Sequence, residues 1–210
     1  MSKRAAPRPS PRHWKHIPRL NLTLEQVQNN WAALGFADHL ELRPNLTLDI
    51  HFDRGDLFDP VNRASGSLQA FLKSARQWIE RKGSKTAYIW VLESRGDSDG
   101  IHAHILIHVP PALTRRFHDL RPRWARKAGL NMQIGKVIHR EDMPTLEATK
   151  GKLQYMSKDL HPKHWPIFQA GGRIHLHDCG KPSDQPIYGK KAGVSRNIDA
   201  KARASHQPNH

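Results

Sequence analysis

The sequence predicts an α+β fold: an antiparallel sheet with elements in the order β-α-β-β-α-β, followed by one more helix. Three observations predict it. Residues 45–52 alternate Leu46, Leu48, Ile50 and Phe52 against Thr47, Asp49 and His51, the period of a half-buried strand. Leu68, Phe71, Leu72, Ala75, Trp78 and Ile79 then follow the helical period up to Gly83. Two apolar runs, Thr86–Leu92 and Ile101–Val109, flank the turn chemistry of Ser94–Gly100, which suits an antiparallel hairpin.

The remaining elements fall around this frame. Residues 1–20 are Pro-rich and basic, with too little apolar content to offset ordering entropy, and read as a flexible phosphate-binding arm, not a secretory signal. Leu24, Val27, Trp31, Leu34 and Phe36 predict a peripheral helix with Thr23 as N-cap, ending near Gly35. Pro110 and Pro111 end the second hairpin strand. Leu113, Phe117, Leu120 and Trp124 suit a helix beside Pro122, and Met132–Ile138 alternates as a fourth strand. A last helix is expected from Pro144 or Thr145 to Leu160, with Pro162 beyond its end. The topology is ferredoxin-like or RRM-like, with helices on one face of the sheet and the extra helix carrying a tyrosine. The expected organisation is an arm over residues 1–20, a domain over 21–165 and a partly flexible basic extension over 166–210.

Charge narrows the partner. Lys and Arg number 34 against 19 Asp and Glu, a formal net charge of +15, and so large an excess points to a polyanion. Nucleic acid is the leading partner, since counterion release rewards distributed cations. No run approaches the roughly 20 apolar residues of a spanning helix, and no helix is both strongly basic and strongly apolar, so no membrane partner is expected. The single cysteine, Cys179, excludes an intrachain disulfide and fits a reducing, cytoplasmic setting.

The chemistry gathers at two motifs. His102 and His104 lie at i and i+2 on a strand and share a face, while Ile101, Ala103, Ile105 and Ile107 take the other. A hairpin loop over Arg95–Gly100 pairs Ser94 with Ile101 and sets Glu93 opposite His102. Two neutral imidazoles and a carboxylate suit a divalent ion, Mg²⁺ or Mn²⁺, acting as a Lewis acid on a phosphate. Tyr155 and Lys158 follow at i and i+3; a tyrosine can attack phosphorus and carry it covalently, and a neighbouring cation can offset the developing charge. Lys190, Lys191 and Arg196, around Gly189 and Gly193, read as a basic nucleic-acid-binding segment.

His102-Ala103-His104 resembles the His-hydrophobic-His motif of the HUH endonucleases. Tyr155-Met156-Ser157-Lys158 resembles the Tyr-x-x-Lys motif of their rolling-circle replication initiator branch, in its one-tyrosine form. Asn45-Leu46-Thr47-Leu48-Asp49 looks like the family's first motif, and Glu93 is similar in position to its third metal ligand. The resemblance covers residues 42–160. It implies metal-dependent, sequence-specific nicking of single-stranded DNA at a replication origin of a plasmid or phage, through a 5′-phosphotyrosine at Tyr155. No G-x-x-x-x-G-K-[ST] loop occurs, so a separate helicase is expected. Two other readings remain open: a one-tyrosine HUH transposase, and a non-catalytic nucleic-acid-binding module with incidental histidines. His175-Leu176-His177, near Cys179, repeats the His-x-His pattern without a long apolar strand and is read as a decoy or an incidental zinc-prone site.

Overall fold

A computed structural model of the chain describes residues 18–52, 63–95, 100–130, 138–166 and 186–206. In chain order these hold β1 (Pro18–Arg19), α1 (Leu24–His39), β2 (Leu46–His51), α2 (Arg63–Glu80), β3 (Tyr88–Arg95) and β4 (Gly100–Ile107). There follow α3 (Thr114–Lys127), β5 (Ile138–Asp142), α4 (Leu146–Met156), β6 (Ile187–Tyr188), β7 (Ala192–Val194) and α5 (Ala200–His206). Five strands form one antiparallel sheet in the order β5-β2-β4-β3-β7, and β1 pairs with β6 apart from it. From β2 to β5 the chain has the β-α-β-β-α-β connectivity that the sequence predicts.

Alternation along the strands divides the sheet into two unlike faces. One face is wholly apolar: Leu46, Leu48 and Ile50 of β2, Trp90 and Leu92 of β3, and Ile101, Ala103, Ile105 and Ile107 of β4 pack against Phe71, Leu72 and Ile79 of α2 and Phe117 and Trp124 of α3. The two crossover helices thus share a face, as expected. The opposite face is split along the strands. Ile89, Val91 and Leu106 pack against Val27 and Leu34 of α1 and Leu153 and Met156 of α4. Further along the same strands, Asp49, His51, Glu93, His102 and His104 occupy that face. The apolar half seats α4, and the polar half lies beside its C-terminal end.

Local chemistry fixes the supports of this arrangement. Thr23 and Gln26 form a reciprocal capping box at the start of α1, with hydrogen bonds of 3.2 and 2.9 Å. The helix runs through Gly35 to His39 instead of ending there, because burial of Leu34 and Ala37 outweighs the roughly 1 kcal/mol a helical glycine costs. Likewise α3 runs through Pro122, held by the burial of Phe117, Trp124 and Ala125. Asn45 aligns three strands at their far end. Its side chain donates to the Val109 carbonyl (2.8 Å) and accepts from the Val109 amide (2.9 Å), while its carbonyl accepts from the Met143 amide (2.8 Å). Thr145 caps α4, and the buried Thr149 hydroxyl donates to the Pro44 carbonyl at 3.0 Å, tying that helix to the start of β2.

Three expectations are corrected. The strand before α4 is Ile138–Asp142, at the sheet edge with Glu141 and Asp142 exposed, as suits an edge; residues 132–137 of the expected strand, like residues 1–17 of the expected arm, lie outside the described residues. The last helix stops at Met156, because the next residues pair with the segment after β1: the Leu22 amide donates to the Asp159 carbonyl (2.8 Å) and the His161 amide to the Leu22 carbonyl (3.2 Å). Residues 186–206, expected to lie in a basic extension, are part of the fold. β7 is the fifth strand, and Gly193 is required there, since a Cβ would stand 2.9 Å from the Trp90 ring. Arg203 fastens the C-terminal helix to Asn29 of α1 (2.7 Å). No helix of the described residues is long and apolar enough to cross a membrane.

Candidate active site

The register of β3 and β4 sets Ser94 opposite Ile101 and Glu93 opposite His102, and β2 sets Asp49 opposite His104 and His51 opposite His102. Directly opposed residues of an antiparallel pair point to one face. Five polar side chains from three central strands therefore cluster, and α4 delivers Tyr155 and Lys152 above them, with Lys158 just past its C-cap, Ser157.

These groups form a continuous chain of contacts. Lys152 Nζ is 2.9 Å from Asp49 Oδ2, and Asp49 Oδ1 is 2.7 Å from His104 Nδ1. His104 Nε2 is 2.9 Å from Glu93 Oε2, which lies 2.9 Å from Lys158 Nζ. Tyr155 lies over the chain. Its ring centroid is 3.7 Å from Lys158 Nζ, 5.1 Å from Lys152 Nζ and 5.4 Å from the His104 ring, which it meets edge-on at 84°. The rings of His51 and His102 are in contact, with centroids 4.0 Å apart. Glu93, His104 and Lys158 are buried and Tyr155 is half-buried, so the tyrosine is more open to solvent than the groups beneath it.

Electrostatics support the pairing. Burial works against ionisation of Asp49, but hydrogen bonds and charge from His104 and then Lys152 prevail and hold its carboxyl at about 2. A carboxylate whose pKa falls on folding stabilises the fold above its unfolded value near 3.8, and that stability fades as pH drops through about 2. The contribution at neutral pH is about 2 kcal/mol. Urea denaturation should therefore show Asp49→Asn less stable than wild type at pH 7 by about that amount, with the gap closing towards pH 2. A gap that stays constant down to pH 2 would contradict the assignment.

The donor set fits a divalent cation in chemistry. Among the described residues, no three His, Cys, Asp or Glu side chains converge into a ready-made cage. Yet both ring nitrogens of His104 face carboxylate oxygens, and a neutral imidazole has only one N–H to give. The second contact needs a further positive centre, either a proton or a bound cation. The 2.9 Å from Nε2 to Glu93 Oε2 also matches the roughly 3 Å between adjacent ligands around an octahedral ion with bonds of about 2.1 Å.

Of the residues singled out in the sequence, His102, His104, Glu93, Tyr155 and Lys158 come together. Lys190, Lys191 and Arg196 do not join them. Lys190 and Arg196 are exposed and line a cleft of about 850 Å³ beside β7. Lys191 departs from expectation: it is fully buried, ion-paired with Asp159 and donating to the Leu20 carbonyl, so its ammonium joins three chain segments and faces no solvent. Burial pushes that ammonium below the ordinary lysine range, against the opposing pull of Asp159. Sequence reasoning gave no role to Asp49, His51 or Lys152, although strand alternation already placed the first two on the histidine face. Tyr88 is a poor rival nucleophile: burial raises its phenol pKa, and it packs against the apolar face. His175, His177, Cys179, Asp97 and Asp99 lie outside the described residues.

A family model of replication-associated proteins, the ORF2 family, matches residues 45–164, more than half of the chain and all of this constellation. The chain belongs to that family. No curated protein and no solved structure matches it. As a replication-associated protein, it carries its matched segment from Asn45, which aligns the central strands, to His164, just beyond the tyrosine and lysine.

Proposed function

We propose that this replication-associated protein is an HUH-type initiator that nicks single-stranded DNA at an origin and starts rolling-circle replication of a plasmid or phage. The observation that supports it most is the approach of Tyr155 to His104 and Lys158, since it joins a nucleophile from α4 to the imidazole-carboxylate set of the central strands. Tyr155 Oη attacks a backbone phosphorus, an Oη–P bond forms and the P–O3′ bond breaks. The phenol loses its proton, and the departing oxygen takes one up as a free 3′-hydroxyl. Lys158 and Lys152 flank the ring and offset negative charge growing on the phosphate.

His102, His104 and Glu93 would hold Mg²⁺ or Mn²⁺. Bound there, the ion supplies Lewis-acid polarisation of the scissile phosphate. Asp49 orients His104 through Nδ1, the usual support of a metal-binding imidazole. Lys190 and Arg196 contact flanking phosphates, and strand separation is left to a separate helicase.

Adduct formation on labelled single-stranded origin DNA tests the histidine and metal assignment. Wild type with Mn²⁺ should form a denaturant-resistant protein–DNA adduct, chelator should abolish it, and His102→Ala/His104→Ala should form none while still binding the strand. An undiminished adduct in chelator, or from the double variant, would contradict the reading.

A further inference from the structure

On the other side of the sheet from Tyr155, α2 and α3 enclose a cleft of about 730 Å³. Arg81 and Lys82, just past α2, and Arg116, Arg123 and Lys127 of α3 line it, all exposed, and no acidic residue does so among those described. Arg116 meets Asp119 at 3.7 Å, but both are largely exposed and solvent screens that pair. Such a one-signed concave surface concentrates field and attracts phosphates.

The floor says which kind of phosphate polymer fits. Single-strand sites offer open aromatic faces on which bases stack. Here Trp124 is only 7 % exposed, and its ring is held by Trp78 (5.6 Å) and Phe117 (5.3 Å) in a core cluster. Little ring face is left for a base, so recognition falls to the cations alone. Arg116, Arg123 and Lys127 recur at i, i+7 and i+11, on one side of α3 over about 16 Å of helix. Arg81 and Lys82 bring charge from a second helix, which makes a two-dimensional patch instead of a single track.

We infer that the α2–α3 cleft binds the phosphate backbone of duplex DNA, independently of sequence, as a second nucleic-acid surface on the side of the sheet away from the tyrosine. It would grip double-stranded DNA next to the strand being processed. The inference rests on charge and geometry at this cleft and not on the chemistry assigned to Tyr155.

The test is fluorescence anisotropy of the full chain with a 20-base-pair duplex over a salt series, for wild type and Arg116→Gln/Arg123→Gln/Lys127→Gln. Each phosphate contact contributes about 0.9 to the slope of log K against log salt, so the triple variant should show a slope shallower by about 2 to 3. Affinity at low salt should fall by about tenfold or more. Adduct formation on a short single strand should be unchanged. Arg81→Gln/Lys82→Gln, on the other helix, should lower the slope by about 2 alone, which covers misfolding of the triple variant. An unchanged slope in both variants, or a loss confined to single-stranded DNA of equal length, would overturn the inference.

Discussion

Tyr155→Phe is expected to abolish the covalent protein–DNA adduct and to lower strand cleavage on the order of 10⁴-fold or more, the scale of losing a nucleophile that acts with its neighbours as a unit. The substitution removes one oxygen and keeps the ring. Its edge contact with His104 and its stacking beneath Lys158 survive, so folding and DNA affinity should be near wild type. That separation gives the prediction its force. Retained cleavage by the folded variant would move the nucleophile elsewhere, to water or another side chain, and leave the imidazole-carboxylate set without its assigned partner.

Lys191→Ala is expected to act on stability and not on DNA binding. Asp159, 3 % exposed, would be left with an uncompensated buried charge, at a cost of about 3–5 kcal/mol in urea denaturation. Removing both charges in Lys191→Met/Asp159→Asn should recover much of that loss, since the penalty lies in the unpaired charge. The consequence extends to the site, because Asp159 directly follows Lys158 and the same ion pair anchors the segment that ends α4. A variant of unchanged stability but weakened DNA binding would instead restore the phosphate-contacting role that the sequence suggested.

The contrast between Lys191 and its neighbours shows where sequence reasoning reaches and where it stops. Glu93 could be placed opposite His102 because an even hairpin loop and strict alternation leave one register that buries Ile101, Ala103 and Ile105 together. Asp49 and His51 were legible by the same alternation once β2 was known to lie beside β4, but adjacency of strands 45–52 and 101–109 is a property of the topology. β7 was not legible: three residues, one a glycine, carry no measurable period, and its place beside β3 depends on the flat Trp90 ring accepting Gly193. Lys191 looked like its exposed neighbours Lys190 and Arg196, since sequence alone does not reveal that Asp159 waits for it in the interior. The end of α4 was overrun for a related reason, as pairing with Leu22 lies far away in sequence.

The most direct test of the central claim is to locate the DNA on the protein. Wild type should be trapped with single-stranded origin DNA and Mn²⁺, digested with protease and nuclease, and its tyrosine peptides read by mass spectrometry. The chain has three tyrosines. The account predicts a 5′-phosphonucleotide on Tyr155 alone, with a free 3′-hydroxyl on the released fragment. A nucleotide on Tyr88 or Tyr188, or cut DNA with no modified tyrosine, would contradict it.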